Sequence, residues 1–223
     1  MGLLLALLLT ASPAAKLNTE GFRLYQAKNY PAALEKFAAA VRADEAHALA
    51  HYNLAATLGL LRGQGKVCEY DAYQSTILEH LEAAVRLDER RRARMKVDHD
   101  FDSVKDTLRY QLLLGRSPAR EKDVAPLVIA VGWTLPAVGA YGNPLTLDFS
   151  AGGTFTLRLM QLSDDGPKFE VINGRWTSKG FQLTLDFDQP VEGQKRAVGQ
   201  LTVEGHLVFP KWDLSDSRSD CDA

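Results

Sequence analysis

The sequence predicts an α+β protein in which helical hairpins precede an antiparallel β-meander, either a curled sheet or a small barrel. Alanine is concentrated in the first half, where apolar residues recur at helical spacing. In the second half, Thr, Phe and Val alternate with polar residues, as in strands that bury one face. Most of the 17 glycines also lie there. The two parts meet near residues 115–118, where helix-ending residues cluster.

The composition argues against several classes of function. The chain has 223 residues, with 26 Lys and Arg against 28 Asp and Glu, so its net charge at pH 7 is -2. Nucleic-acid binding requires a basic surplus, and we therefore expect no nucleic-acid partner. Two cysteines are too few for a disulfide-dense scaffold or a cysteine zinc site.

The first residues have the pattern of a secretory signal. Residues 3–9 form an unbroken apolar run, and the small residues of 10–15 follow it. The run is too short to span a bilayer, which takes about 20 residues, so no transmembrane segment is predicted. Cleavage is expected after Ala14, which predicts an exported protein, periplasmic or extracellular. The alternative is a buried first turn of the helical part, in which case the protein is cytoplasmic.

The helical part contains two copies of one pattern of small and apolar residues. The first copy comprises Leu17, Gly21, Leu24, Tyr30, Ala33, Phe37, Ala40 and Asp44. The second copy runs from Ala48 to Asp88 and carries additional residues around 63–75. This order and spacing resembles the tetratricopeptide repeat, a helical hairpin that stacks into arrays. The resemblance implies two repeats and a short capping helix that includes residues 108–113.

The resemblance also implies a partner-binding groove formed by the first helix of each repeat. The matching positions are Asn18, Phe22, Tyr25, Gln26, Leu49, Tyr52 and Ala56. A subset of the family holds a peptide's terminal carboxylate with lysine and asparagine, and Asn18 and Phe22 do not reproduce that clamp. An aromatic, largely uncharged groove suits an apolar peptide or helix of a protein partner. The alternative is that Phe22 and Tyr25 pack against the rest of the same chain.

The predicted organisation has five segments, with the helical domain taken to include the capping helix. They are a signal peptide at 1–14, a helical domain at 15–116, a linker at 117–126, a β domain at 127–212 and an acidic tail at 213–223. A cluster of arginines at 90–94 follows the second repeat, where cations favour a solvated helix end.

No motif in the sequence predicts catalysis. The sequence has no nucleophile elbow, no phosphate-binding loop and no local Cys–His signature. We therefore expect a protein that is not an enzyme and that has neither catalytic residues nor a cofactor.

Two groups of residues have a spacing that metal ligands use. The aspartates at 98, 100 and 102 resemble the start of a calcium loop, but Ser103 and Arg109 stand where that loop needs glycine and glutamate. Helix capping by Asp100 or Asp102 is expected instead. His47 and His51 lie four residues apart without a third ligand, which favours solvated surface histidines. The sequence therefore predicts no metal site.

The second half predicts about six strands joined by short turns. The apolar alternation places them around 127–133, 145–149, 155–159, 169–176, 181–187 and 201–209. Short connections make strands that are consecutive in sequence antiparallel neighbours in the sheet. One apolar face and one polar face predict a sheet that curls around its own core.

The aromatic landmarks of this half are similar to those of bacterial lipocalin-like β modules. They are Gly132-Trp133, Leu147-x-Phe149, Gly153-x-Phe155, Gly174-x-Trp176 and Leu183-x-Leu185. The resemblance implies an interior that binds a small apolar ligand and is lined by Trp133, Phe155 and Trp176. The alternative is a core filled by side chains, because about six strands enclose little volume. A small-ligand carrier is thus the second candidate function, after the non-catalytic adaptor.

The two cysteines lie in different parts of the chain. Cys68 is in the additional residues of the second repeat and Cys221 is in the acidic tail. In an oxidising compartment they can form a disulfide. Two independent thiols are the alternative.

Overall fold

The structure, a computed structural model, describes residues 12–135, 145–163, 166–191 and 193–216. The chain divides between Ser103 and Val104 into two compact units, here called the helical unit and the barrel unit. The predicted α+β class is confirmed. Most of the predicted signal segment lies outside the described residues. No helix in the described ranges is both long and apolar enough to cross a membrane.

The helical unit consists of paired antiparallel helices. Its helices are α1 (Pro13–Gln26), α2 (Tyr30–Ala43), α3 (Ala48–Gly63), α4 (Gln74–Leu87), α5 (Arg90–Met95) and a 3-10 helix (His99–Phe101). Helix α1 packs on α2, α2 on α3, and α3 on α4. The additional residues of the second repeat form the connection between α3 and α4.

Side chains that accept backbone hydrogen bonds mark where α1, α2 and α3 begin. The Ser12 hydroxyl accepts from the Ala15 N–H at 3.2 Å, and Pro13 follows in the first turn. The Asn29 side chain and the His47 ring cap α2 and α3 in the same way. Each cap satisfies an N–H that has no partner inside its helix.

Glycine allows close approach at two places in the helical unit. A Cβ on Gly21 would lie 2.7 Å from the Phe37 ring, so only glycine lets α1 pack this closely on α2. A Cβ on Gly59 of α3 would overlap the backbone carbonyl of Asp100. The Ser103 hydroxyl donates to the Gly59 carbonyl at 2.9 Å. Gly59 thus brings the 3-10 helix against α3.

The barrel unit contains two helices and eight described strands. The helices are α6 (Leu108–Leu113) and α7 (Glu121–Ala130). The strands are β1 (Trp133–Leu135), β2 (Leu145–Phe149), β3 (Thr154–Ser163), β4 (Gly166–Lys179), β5 (Gln182–Val191), β6 (Gln194–Leu201), β7 (Leu207–Phe209) and β8 (Trp212–Leu214). Each strand pairs antiparallel with the next along the chain.

The sheet closes on itself through a bridge between its first and last strands. The Thr134 N–H donates to the Ser215 carbonyl at 2.7 Å, and the Ser215 N–H donates to the Thr134 carbonyl at 3.0 Å. The inward-facing residues of every strand form one buried core. The predicted curled sheet is therefore a nearly closed barrel.

Helix α7 replaces a predicted linker and a predicted strand. The apolar run at 127–133 was expected to be extended, but residues 121–130 are helical. Val124, Leu127, Val128 and Val131 follow a three- and four-residue spacing, and all four are buried in the barrel core. This spacing begins at Val124, before the apolar run, and it indicates a helix.

The boundaries of the second half also differ from the prediction. Helix α6, expected to cap the helical array, belongs to the barrel unit, where Leu108 packs against the core. Its first N–H donates to the Asp216 carboxylate at 2.7 Å. Residues 213–216 therefore belong to the barrel, and only 217–223 of the predicted tail remain, outside the described residues. The predicted strand at 201–209 is divided by a turn, in which the Thr202 N–H donates to the His206 carbonyl, so that β6 ends at Leu201 and β7 begins at Leu207. Strand β8 then extends the meander beyond the predicted six.

Candidate functional site: a pocket on the helical unit

A pocket of about 330 Å³ opens on the helical unit. Helices α1 and α3 form part of its lining, and the segment from α5 to the 3-10 helix forms another part. The lining residues are Phe22, Tyr25, Phe37, Tyr52, Asn53, Ala56, Arg94, Val97, Asp98, His99 and Asp100. Side chains from α1, α2, α3 and the segment from α5 to the 3-10 helix therefore meet in one concave site.

The mouth of the pocket is apolar and exposed. Phe22 and Tyr25 lie three residues apart on one face of α1, and their rings are stacked with centroids 6.4 Å apart. Phe22 is 46% exposed, and Val97 on the other segment is 68% exposed. Large apolar side chains in such positions are typical of a surface that another molecule covers.

Deeper in the pocket, two tyrosines donate hydrogen bonds to two carboxylates. The Tyr25 hydroxyl donates to Asp100 Oδ2 at 2.6 Å, and the Tyr52 hydroxyl donates to Asp98 Oδ2 at 2.8 Å. Asp98 Oδ1 also accepts from the Asp100 N–H at 3.2 Å, which caps the 3-10 helix. The Tyr52 ring packs edge-on against buried Phe101. These contacts fix the tyrosines and the carboxylates relative to one another.

Burial and hydrogen bonding keep both phenols protonated. Burial, together with the hydrogen bond to Asp100, raises the pKa of Tyr25 well above its ordinary value. Burial and the bond to Asp98 do the same to the pKa of Tyr52. Burial also raises the pKa of Asp100, which the hydrogen bond from Tyr25 opposes. The site therefore presents neutral phenols as donors and carboxylates as acceptors.

A guanidinium, that of Arg94, also lines the pocket. Arg94 Nε lies 3.6 Å from Asp98 Oδ2, and the Arg94 side chain is 68% exposed. The arginine cluster was expected to be a solvated helix end after the second repeat; it instead forms the separate helix α5. Arg90 and Arg91 in that helix pair with Asp88.

The structure brings together four of the seven predicted groove residues. Phe22, Tyr25, Tyr52 and Ala56 line the pocket, although Tyr52 is only 4% exposed. Asn18 is buried, and its side-chain oxygen accepts from the Asn53 amide at 2.9 Å, so it joins α1 to α3. The lining residues of the pocket do not include Gln26 or Leu49.

The expectation of a largely uncharged groove is wrong. Asp98, Asp100 and Arg94 line the pocket, and sequence reasoning missed all three as site residues. The spacing of the three aspartates predicts capping by Asp100 or Asp102, whereas Asp98 caps the 3-10 helix. No local signal joins Asp100 to Tyr25, which lies 75 residues earlier in the chain.

The two histidines expected to be solvated at the surface make contacts within the chain instead: His47 caps a helix and His51 pairs with His80. His47 caps α3, and His51 is 8% exposed. His51 Nδ1 lies 3.0 Å from His80 Nδ1, and His51 Nε2 lies 3.0 Å from the Glu45 carbonyl. Burial, with the neighbouring His51, lowers the pKa of His80. Among the described residues, no group of three or more metal-ligating side chains is present.

The predicted ligand-binding residues of the β half are part of the barrel core. Trp133, Phe155 and Trp176 are 0%, 2% and 8% exposed. The indole N–H of Trp133 donates to the Val128 carbonyl, and that of Trp176 donates to the Ser150 carbonyl, both at 3.0 Å. All three side chains pack against other apolar core residues.

A second pocket, of about 100 Å³, is on the barrel unit. Its lining residues are Phe187, Val191, Gln194, Ala197, Phe209, Pro210, Lys211 and Trp212. None of the three predicted ligand-binding residues is among them, so this pocket is not the interior site that the sequence predicted.

The predicted disulfide involves a residue outside the described ranges. Cys68 lies in the connection between α3 and α4, and Cys221 is not among the described residues. The pairing stays a prediction. Titration of thiols in the unfolded, non-reduced protein tests it, since a disulfide leaves no free thiol and two independent cysteines leave two.

Comparison of the chain with protein-family models, with curated proteins and with solved structures finds no significant match. The geometry of the two units is therefore the basis for a functional proposal.

Proposed function

We propose that this protein is a non-catalytic interaction protein that binds a peptide or helix of a protein partner in the pocket of the helical unit. The observation that carries the proposal is the pocket itself, in which exposed Phe22 and Val97 form the mouth and fixed polar groups lie deeper. Binding sites on proteins combine these features, since apolar contacts supply affinity and a few placed polar groups set orientation.

The packing of the helices supports an adaptor of the tetratricopeptide type. Helices α1 and α2 form one hairpin and α3 and α4 a second, with α2 packed on α3 between them. Gly21 and Ala33 stand at close contacts, as the repeat pattern requires. In such arrays the first helices of the repeats carry the partner-binding face, and here α1 and α3 both contribute to the pocket.

The small-ligand carrier has less support. Its three predicted lining residues are held in the barrel core by apolar packing, and two of them by indole hydrogen bonds to backbone carbonyls. An apolar ligand could enter only by displacing these contacts. We therefore do not put the carrier forward as the function.

Export is part of the proposal, and the N-terminus of the mature protein tests it. Cleavage after Ala14 would remove the Ser12 cap and the first two residues of α1, including the buried Ala14. Mass analysis of protein from the native host is expected to find a mature chain that begins at Ala15. An intact Met1 in the cytosolic fraction would contradict export.

Peptide selection followed by site-specific cross-linking tests the binding function. Peptides that bind the full chain are first selected from a displayed random library. A photoreactive phenylalanine analogue is then placed at position 97, and a control analogue at Val203, which is 62% exposed on the barrel unit. We expect the selected peptides to cross-link from position 97 and not from position 203. Cross-linking only from position 203, or no selectable peptide, would overturn the proposal.

A further inference from the structure

The two carboxylates of the pocket differ in how their charge is balanced. Asp98 accepts from Tyr52 and has Arg94 within 3.6 Å. Asp100 accepts from Tyr25 through Oδ2. In the part of the chain that the structure describes, no ion pair reaches Asp100 and no hydrogen bond reaches its Oδ1. Asp100 is therefore a half-buried carboxylate with remaining capacity to accept.

Asp100 is also placed beside aromatic rings. The Tyr25 hydroxyl that contacts it belongs to the ring stacked on Phe22, and Tyr52 lines the same pocket. Aromatic faces attract cations, and they also pack against the methylene stem of a long basic side chain. A basic side chain can therefore pack its stem against the rings and place its charged group beside Asp100 at the same time.

The charge of the pocket disfavours an anionic or a wholly apolar side chain of the partner. Among the described lining residues, two carboxylates stand against one guanidinium, that of Arg94, whose side chain is mostly exposed. An anionic side chain entering here would lose hydration and meet Asp98 and Asp100. A wholly apolar one would leave the carboxylate of Asp100 desolvated without a new partner. A basic side chain supplies both a hydrogen-bond donor and the opposite charge that this carboxylate lacks.

We propose that the pocket binds a lysine or arginine side chain of the partner peptide, with Asp100 as its counter-charge and Phe22 and Tyr25 packed along its stem. This inference rests on the proposed function, since it names the residue of the partner that the pocket recognises. The volume of about 330 Å³ is within the range of sites that enclose a small group.

The test uses the peptides selected on the full chain, together with synthetic versions in which each Lys or Arg is replaced in turn by norleucine. Norleucine keeps the apolar stem and removes the charge. We expect one position of the selected peptides to be Lys or Arg, and norleucine there to weaken binding to the wild-type chain by about tenfold or more. Added salt should weaken the binding of the parent peptide more than the binding of the norleucine peptide.

The variant Asp100→Asn assigns the effect to this carboxylate. Asparagine keeps an oxygen that can accept from Tyr25, so the variant is expected to fold, which circular dichroism checks. On this variant the norleucine substitution should weaken peptide binding by less than about threefold, because the positive charge that norleucine removes no longer faces a carboxylate at position 100. The matched control Glu35→Gln removes an equal charge from the exposed face of α2 and should keep the full effect.

The outcomes separate this inference from the function on which it rests. Peptides that cross-link from position 97 without a basic residue, or whose norleucine versions bind equally well, would overturn the cation proposal and leave the binding function standing. An undiminished norleucine effect on Asp100→Asn would overturn the role of Asp100. If Asp100→Asn does not fold, the norleucine and salt measurements on the wild-type chain decide the cation proposal alone.

Discussion

The two units use the same kinds of aromatic residue in opposite ways. In the barrel unit, Trp133 and Phe155 are almost fully buried, and the indole N–H of Trp133 is satisfied by a backbone carbonyl. In the helical unit, Phe22 is 46% exposed, and the Tyr25 hydroxyl donates to a carboxylate with remaining capacity. Aromatic residues that complete a core are enclosed by apolar neighbours, whereas those at a binding site remain open beside polar groups. This contrast is why the pocket, rather than the barrel interior, is the proposed site.

The largest expected effect is on the barrel core. Replacing Phe155 by Ala removes a ring packed between Phe149 and Phe187 and should lower the free energy of unfolding by about 3–5 kcal/mol. Urea unfolding followed by tryptophan fluorescence measures this, because all three tryptophans lie in the barrel unit. The control Phe169→Ala, at a ring 71% exposed on β4, should change it by less than about 0.5 kcal/mol. Equal effects of the two variants would mean that the interior is not packed as described.

The second-largest expected effect is a loss of stability that should be greater for a change deep in the pocket than for a change at its mouth. Tyr52→Phe removes the hydroxyl that donates to Asp98 and should cost the helical unit about 1–3 kcal/mol, since a half-buried carboxylate loses a partner. Far-ultraviolet circular dichroism during urea unfolding measures the loss. Phe22→Ala at the mouth should cost less than about 1 kcal/mol. If the Phe22 variant proves the less stable of the two, the ring is part of the core and not of a binding surface.

The smallest effect is the pH dependence that the histidine pair gives the helical unit. The pKa of His80 is lowered in the folded chain by burial and by His51, with Glu79 opposing. Below the unfolded pKa of about 6.5 the unfolded chain binds more protons, so the stabilisation is present above that pH and is lost as the pH falls. Unfolding by urea between pH 7.5 and 5.5 should therefore show decreasing stability.

His80→Gln is the control for that measurement. Glutamine can still hydrogen-bond to His51 and does not titrate, so the decrease between pH 7.5 and 5.5 should become smaller. An unchanged decrease in this variant would assign the pH dependence to other groups.

The fold was predictable where the signal is local. The small residues Gly21, Ala33 and Ala40 predicted the helical hairpins because close helix contacts tolerate few other residues. The alternation at 145–149 and 181–187 predicted strands because each strand buries one face. At 127–131 the apolar run alone fits a helix or a strand, and only the spacing that begins at Val124 distinguishes them.

The candidate site was predictable only in part. Helical periodicity and the repeat resemblance identify Phe22, Tyr25 and Tyr52, since these lie on the first helices of the hairpins. Asp98 and Asp100 reach the tyrosines through contacts between segments far apart in sequence. Such contacts depend on how the chain turns after α5 and on the close approach at Gly59, which no spacing pattern encodes.

The most direct measurement of the central claim compares affinity and stability in one variant. A peptide selected on the full chain is titrated against the wild-type chain, Phe22→Ala and the exposed control Val203→Ala. The account predicts that Phe22→Ala weakens binding about tenfold or more while the free energy of unfolding stays within about 1 kcal/mol, and that Val203→Ala changes neither. Unchanged affinity in Phe22→Ala, or an affinity lost only together with stability, would contradict the claim that this pocket is the binding site.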